Sequence, residues 1–208
     1  MGLTFYFAPQ STATLTELVI EELAIPCDRK KLDLKAGDAK SPEYAKVNPN
    51  AKVPANVHDG VPIFESAAIT MYLGEQFGVD KNLYPAPGPR RGEAMKWIVW
   101  TNVTLGEAMY RRGFFGDWAA PGEGNPKGVE NANKDLAQLL GILDGALAGK
   151  QFLLGDFTLA DVHLNGFCEW LRGSNVDFAP FANVNAWSKR CNERPAYKRV
   201  MARDAGQH

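Results

Sequence analysis

The residues best suited to chemistry in this 208-residue chain lie between Asn48 and Tyr72, in NPNAKVPANVHDGVPIFESAAITMY. Val53-Pro54 opens a short apolar run. Proline there costs a ladder hydrogen bond, which predicts an edge strand or a tight turn with a cis bond. Val53, just before it, keeps backbone N–H and C=O groups to which an extended peptide can pair as an added strand. His58-Asp59-Gly60 predicts a hairpin turn. The next run, Val61-Pro62-Ile63-Phe64, ends in Glu65-Ser66 ahead of a helix-forming segment, with Ser66 expected as the N-cap. A helix start offers unpaired N–H groups and partial positive charge to a carboxylate. Glu65 beside it offers a place for an ammonium. Together these features suit a short peptide with a free amino-acid end.

Regular elements must hold that stretch in place. Leu3–Phe7 reads as a buried strand, broken by Ala8-Pro9-Gln10. A helix follows from Ser11 or Thr12 to Leu23, with apolar residues at helical spacing. Cys27–Leu34 predicts a second strand, and Ser41-Pro42-Glu43-Tyr44 leads into a short helix. With the hairpin and the Ser66 helix the order is βαβαββα, a thioredoxin-like unit with parallel pairing at its start. Pro85, Pro87, Gly88 and Pro89 mark a linker, giving expected units at 1–78 and 90–208 with the linker at 79–89. The second unit is all helical, with helices expected near Arg90–Phe115, Lys127–Ala148, Leu159–Leu171, Ala179–Asn192 and after Pro195. Within it, Thr158 and Asp161 read as a capping box, stapled by Phe157 and Val162.

Composition narrows the partners. The formal net charge of −1, without charge runs, argues against nucleic acid or an anionic membrane surface. Cys27, Cys168 and Cys191 are widely spaced, which fits a reducing cytoplasm rather than a disulfide scaffold. No segment is apolar and long enough for a membrane span. His58 and His163 lack partners at metal spacing and are expected to be structural, with no metal.

NPNAKVP and FESAAITMYL resemble the NPxGxVP and ESxAIxxYL segments of the cytosolic glutathione transferases. GDFTLADVHL and the closing W…RPAYK are similar to that family's buried capping box and C-terminal pattern. The resemblance spans both halves and is to the bacterial serine/threonine-like rather than the cysteine-type members. It implies glutathione as co-substrate and a homodimer. In it Val53, before a cis Pro54, pairs with the cysteinyl backbone, and Glu65 and Ser66 take the γ-glutamyl end. Lys52 or Lys35 meets the glycyl carboxylate. A free thiol has a pKa of about 8.5, so a hydroxyl just after the first strand must hold it as thiolate. Ser11 is the first candidate, Thr12 replaces it if the turn shifts by one residue, and Tyr6 matches classes that use a strand tyrosine. Ala51 stands where the family has glycine, which suggests that no positive φ is needed there.

The second substrate, a hydrophobic electrophile, is expected against Tyr110, Phe114, Phe115 and Trp118. The implied activity is alkyl or aryl transfer to glutathione, as in detoxification. Other glutathione chemistries on the same site (peroxidase, dehalogenase, ether cleavage, isomerisation) and a non-catalytic interaction module are the alternatives.

Overall fold

The computed structural model describes residues 2–9 and 11–205. Gln10, part of the expected break after the first strand, lies outside the described residues. Strands β1 (Leu3–Phe7), β2 (Cys27–Lys31), β3 (Ala55–His58) and β4 (Val61–Phe64) form one sheet in the order β2-β1-β3-β4. β1 and β2 are parallel, and the other two pairings are antiparallel. The expected βαβαββα order is present, with α1 (Ala13–Glu22), α2 (Pro42–Ala45) and α3 (Ser66–Leu73). Period-two alternation on β1 sends Leu3, Phe5 and Phe7 into the main core. Tyr6 points to the opposite face, where its ring lies 5.4 Å from that of Tyr44.

β2 ends at Lys31, short of the expected Leu34. Asp33 turns the chain there, its Oδ1 accepting the N–H groups of Lys35 and Ala36 at 2.9 and 3.0 Å. The hairpin is as expected, with Asp59 at φ 51° and Gly60 at φ 83°, the two positive values a type I′ turn demands.

α3 continues through a π-helical turn to Gly78, and Pro89 opens α4 (Pro89–Trp100). The long helix expected near 90–115 is α4, a π-helical turn at Thr101–Leu105, and α5 (Gly106–Phe115). Then come α6 (Pro126–Leu147), α7 (Leu159–Gly173), α8 (Ala182–Asn192) and α9 (Pro195–Ala205). α7 is the central helix, buried from Leu159 to Cys168. Gly166 lets α1 approach closely, since a Cβ there would come within 3.2 Å of Leu18. The capping box forms as the sequence predicts.

α9 closes back on α1 through charge. Arg194 pairs with Glu22 through two hydrogen bonds, at 2.6 and 2.8 Å. Arg199 and Arg203 both reach Glu21 at 2.6 Å. Burial pushes the Glu21 carboxyl up, but the two guanidiniums outweigh it and hold the group below its ordinary 4.5. The folded value is the lower one. This pairing therefore stabilises fully above pH 4.5 and is lost as pH falls through the folded value. Hydrogen exchange on acidification is expected to release α9 amides before those of α7. Equal protection of both helices at low pH would refute this.

Candidate functional site

Three backbone features make up the candidate site. The first is the Val53-Pro54 peptide, which is cis. Its approach is fixed from below, where Tyr44 Oη and Asn48 Nδ2 both donate to the Lys52 carbonyl, at 2.6 and 2.7 Å. Asn48 Oδ1 also accepts the Asn50 N–H at 3.0 Å. This tight turn drives Ala51 to φ 55°. The expectation that an alanine here relieves the need for positive φ is therefore wrong. Alanine occupies the left-handed region at a cost of about 1–2 kcal/mol, because Asn48 ties the residues on either side of it.

The second feature is the start of α3. Ser66 is not its N-cap, as the sequence suggests, but its first residue. Glu65 occupies the cap position at φ 69° and ψ 114°, and its side chain makes no capping hydrogen bond. The reversal out of β4 falls on Glu65, which leaves the first-turn N–H groups uncapped by its carboxylate. Glu65 is exposed and Ser66 is buried, at 5 %.

The third feature is the turn after β1. Ser11 Oγ donates to the Ala8 carbonyl at 2.7 Å and accepts the Ala13 N–H at 3.2 Å, so both capacities serve the turn. Thr12 is the N-cap of α1. Its hydroxyl reaches across to the Val53 carbonyl at 3.3 Å, a long contact for an O–H donor. Tyr6 sits away from both, with Lys30 over its ring. Lys35 and Lys52 are exposed.

Behind α3 runs a buried polar chain that the sequence does not reveal. Asn102 Nδ2 lies 2.9 Å from Ser66 Oγ, and Asn102 Oδ1 lies 2.7 Å from His163 Nε2. His163 Nδ1 lies 2.9 Å from Thr70 Oγ1. His163 is fully buried, and burial pushes its pKa down to about 3, so the ring is neutral. It is structurally satisfied, as expected, but through partners 61 and 93 residues away.

The aromatic strip is only partly the expected one. Tyr110, Phe114 and Trp118 cluster with ring centroids 5.5–6.5 Å apart. Phe115 does not join them: it turns toward α6, against Gly128, where a Cβ would come within 2.5 Å of its ring. Its place is taken by Trp170 of α7, stacked on Trp118 at 6.1 Å. Burial and then the Glu65 charge raise the Tyr110 phenol pKa. On the other side of Trp170 a cavity of about 190 Å³ opens, walled by Ser11, Thr14, Tyr197 and Met201. A larger hollow of about 670 Å³, walled by residues between 79 and 90 together with Asp156 and Thr158, includes none of Ser11, Thr12, Val53, Glu65 or Ser66.

Burial raises the pKa of all three thiols, most at Cys168 and Cys191. None is poised as a nucleophile at neutral pH. Among the described residues no group of acidic, histidine or cysteine side chains could hold a metal ion, and no helix is long and apolar enough to cross a membrane.

A thioredoxin-like sheet unit followed by an all-helical unit defines the fold class. Residues 1–75 match the glutathione S-transferase N-terminal domain and residues 101–195 the glutathione S-transferase C-terminal domain. The chain is 31% identical over 188 residues to glutathione S-transferase GstB of Escherichia coli, covering 88% of this chain and 89% of that one. It therefore belongs to the glutathione S-transferase family. It is also 34% identical over 179 residues to the disulfide-bond oxidoreductase YghU of the same organism, covering 78% of this chain and 59% of YghU. Among solved structures, glutathione transferase URE2P6 of Phanerochaete chrysosporium, in complex with oxidized glutathione, superposes with a TM-score of 0.89. That match has 26% identity and covers 98% of this chain and 96% of that one.

Proposed function

We propose that the groove binds glutathione and activates its thiol for attack on a hydrophobic electrophile. The observation that carries this reading is the contact of the Thr12 hydroxyl with the Val53 carbonyl, together with the α3 start that the Glu65 side chain leaves uncapped. In this assignment Val53 pairs with the cysteinyl backbone, Glu65 holds the γ-glutamyl ammonium, and Ser66 with the first-turn N–H groups holds its carboxylate. Lys52 or Lys35 meets the glycyl carboxylate.

Thr12, rather than Ser11, is the hydroxyl we assign to the thiolate. Ser11 is saturated by its own turn, while Thr12 makes only a long bond to Val53 and can turn its proton to a sulfur. Tyr6 faces the wrong side of the sheet. The thiolate sulfur then bonds to the electrophilic carbon as the leaving group departs with the electron pair. Tyr110, Phe114, Trp118 and Trp170 supply the apolar wall for that partner. GstB and URE2P6, both named as glutathione transferases, support the reading. A cytoplasmic homodimer and the unit boundaries at 78 and 90 belong to the same proposal. Val99 and Val103, exposed one helical turn apart, offer an apolar face for a second copy.

A second reading, glutathione as reductant of a disulfide, is favoured by the likeness to YghU. In that case the protein supplies no thiol of its own, and glutathione sulfur attacks the disulfide directly. Titrating the protein with glutathione while following ultraviolet absorbance near the thiolate band tests both. Saturable binding with a new thiolate signal is expected, and no binding overturns the proposal. Turnover of an aryl halide or of a small disulfide then separates transfer from reduction.

A further inference from the structure

We propose that Asn102 and His163 are positioning residues that hold the Ser66 hydroxyl as a hydrogen-bond donor toward the carboxylate bound at the start of α3. The inference rests on the glutathione reading above and adds residues from the helical half to it.

The argument is one of hydrogen-bond direction. Neutral His163 carries one ring proton. With that proton on Nε2 it donates to Asn102 Oδ1, and Nδ1 accepts from the Thr70 hydroxyl. Asn102 Nδ2 then donates to Ser66 Oγ. Ser66 oxygen is thereby supplied with a proton from behind and keeps its own to give forward. The reversed polarity would make Ser66 donate inward to Asn102 and present lone pairs to the ligand. A carboxylate at a helix start selects the outward polarity, because only that polarity aims a proton at it.

Burial shields both ends of the chain, with Thr70 and His163 0 % exposed and Ser66 5 % exposed, while Asn102 between them is half-buried. The backbone is shaped for it as well. Asn102 sits in the π-helical turn Thr101–Leu105 between two α-helices, a local departure from regular helix of the kind found at functional sites. Neither Asn102 nor His163 would touch the peptide. They act through Ser66, which makes them distinct from the binding residues themselves.

The test compares glutathione with 4-aminobutyryl-cysteinylglycine, which lacks the α-carboxylate, by calorimetry on the whole protein. Wild type is expected to prefer glutathione. Asn102→Ala should weaken glutathione about tenfold and the analogue less than twofold. Thr70→Val, a near-isosteric change at the far end, should show a smaller loss confined to glutathione, of about threefold. His163→Gln, whose amide can still donate to Asn102, should stay close to wild type. Equal weakening of both peptides, or no weakening of either in variants that melt like wild type, would overturn the relay. Should wild type itself bind both peptides equally, the carboxylate is not at α3, and the site assignment fails before the relay is reached.

Discussion

Thr12→Val is expected to lower kcat/KM for glutathione conjugation about 100-fold while changing glutathione affinity little. The variant keeps the shape of the N-cap and removes only the hydroxyl. That hydroxyl reaches the Val53 carbonyl rather than its own turn, and the bond is long at 3.3 Å. Without it the bound thiol should return toward its free pKa of about 8.5, leaving only a few per cent ionised at neutral pH. The loss should therefore shrink as pH is raised, which separates thiol activation from misfolding. Ser11→Ala is expected to behave oppositely. It removes a donor to Ala8 and an acceptor for Ala13, so it should cost about 1 kcal/mol of stability and little thiolate signal. A lost thiolate band in Ser11→Ala with an intact one in Thr12→Val would reverse the assignment.

Asp161→Asn should produce the largest loss of stability. The Asp161 side chain is fully buried and accepts four hydrogen bonds. Oδ1 takes the Leu153 N–H at 2.8 Å and Trp187 Nε1 at 2.9 Å, while Oδ2 takes the Thr158 N–H and hydroxyl. Burial pushes the carboxyl pKa up and the four donors pull it down. Asparagine has the same outline but replaces one acceptor oxygen with a donor, so two buried donors would face an N–H₂ group. Leaving such groups unpaired costs on the order of 3–5 kcal/mol, or roughly 10 °C in Tm for a chain of this size. A melting point within a degree or two of wild type would show that the box does not hold α7, α8 and the preceding loop together.

What the sequence revealed was whatever depended on neighbours along the chain. The Asp59-Gly60 turn, the strand at Leu3–Phe7 and the Thr158/Asp161 box follow from local rules, and all appear. The thioredoxin-like and all-helical halves followed from the order of such elements. Positions set by distant contacts did not follow. Nothing local in alanine announces that Asn48 will force Ala51 to positive φ. Glu65 takes the cap from Ser66 because the chain must reverse between β4 and α3, while Ser66 oxygen is claimed by Asn102, 36 residues on. Phe115 left the expected strip, and Trp170, for which the sequence predicts no role, entered it for a similar reason. Helical spacing identifies a stripe but not which neighbour it meets, and Gly128 made room for Phe115 on α6.

The arginines of α9 have a consequence for how the molecule is made. Glu17, Glu21 and Glu22 of α1 are made well before their partners. Their guanidinium partners Arg194, Arg199 and Arg203 come 172 or more residues later. Arg29 of β2 lies 3.6 Å from both Glu17 and Glu21 and is made early. The sheet-bearing half thus emerges early but receives its outer clasp last, an order of assembly that slows completion. A nascent chain halted before Pro195 would carry every group assigned to the peptide thiol and still lack Arg199 and Arg203, the part of the clasp that holds Glu21.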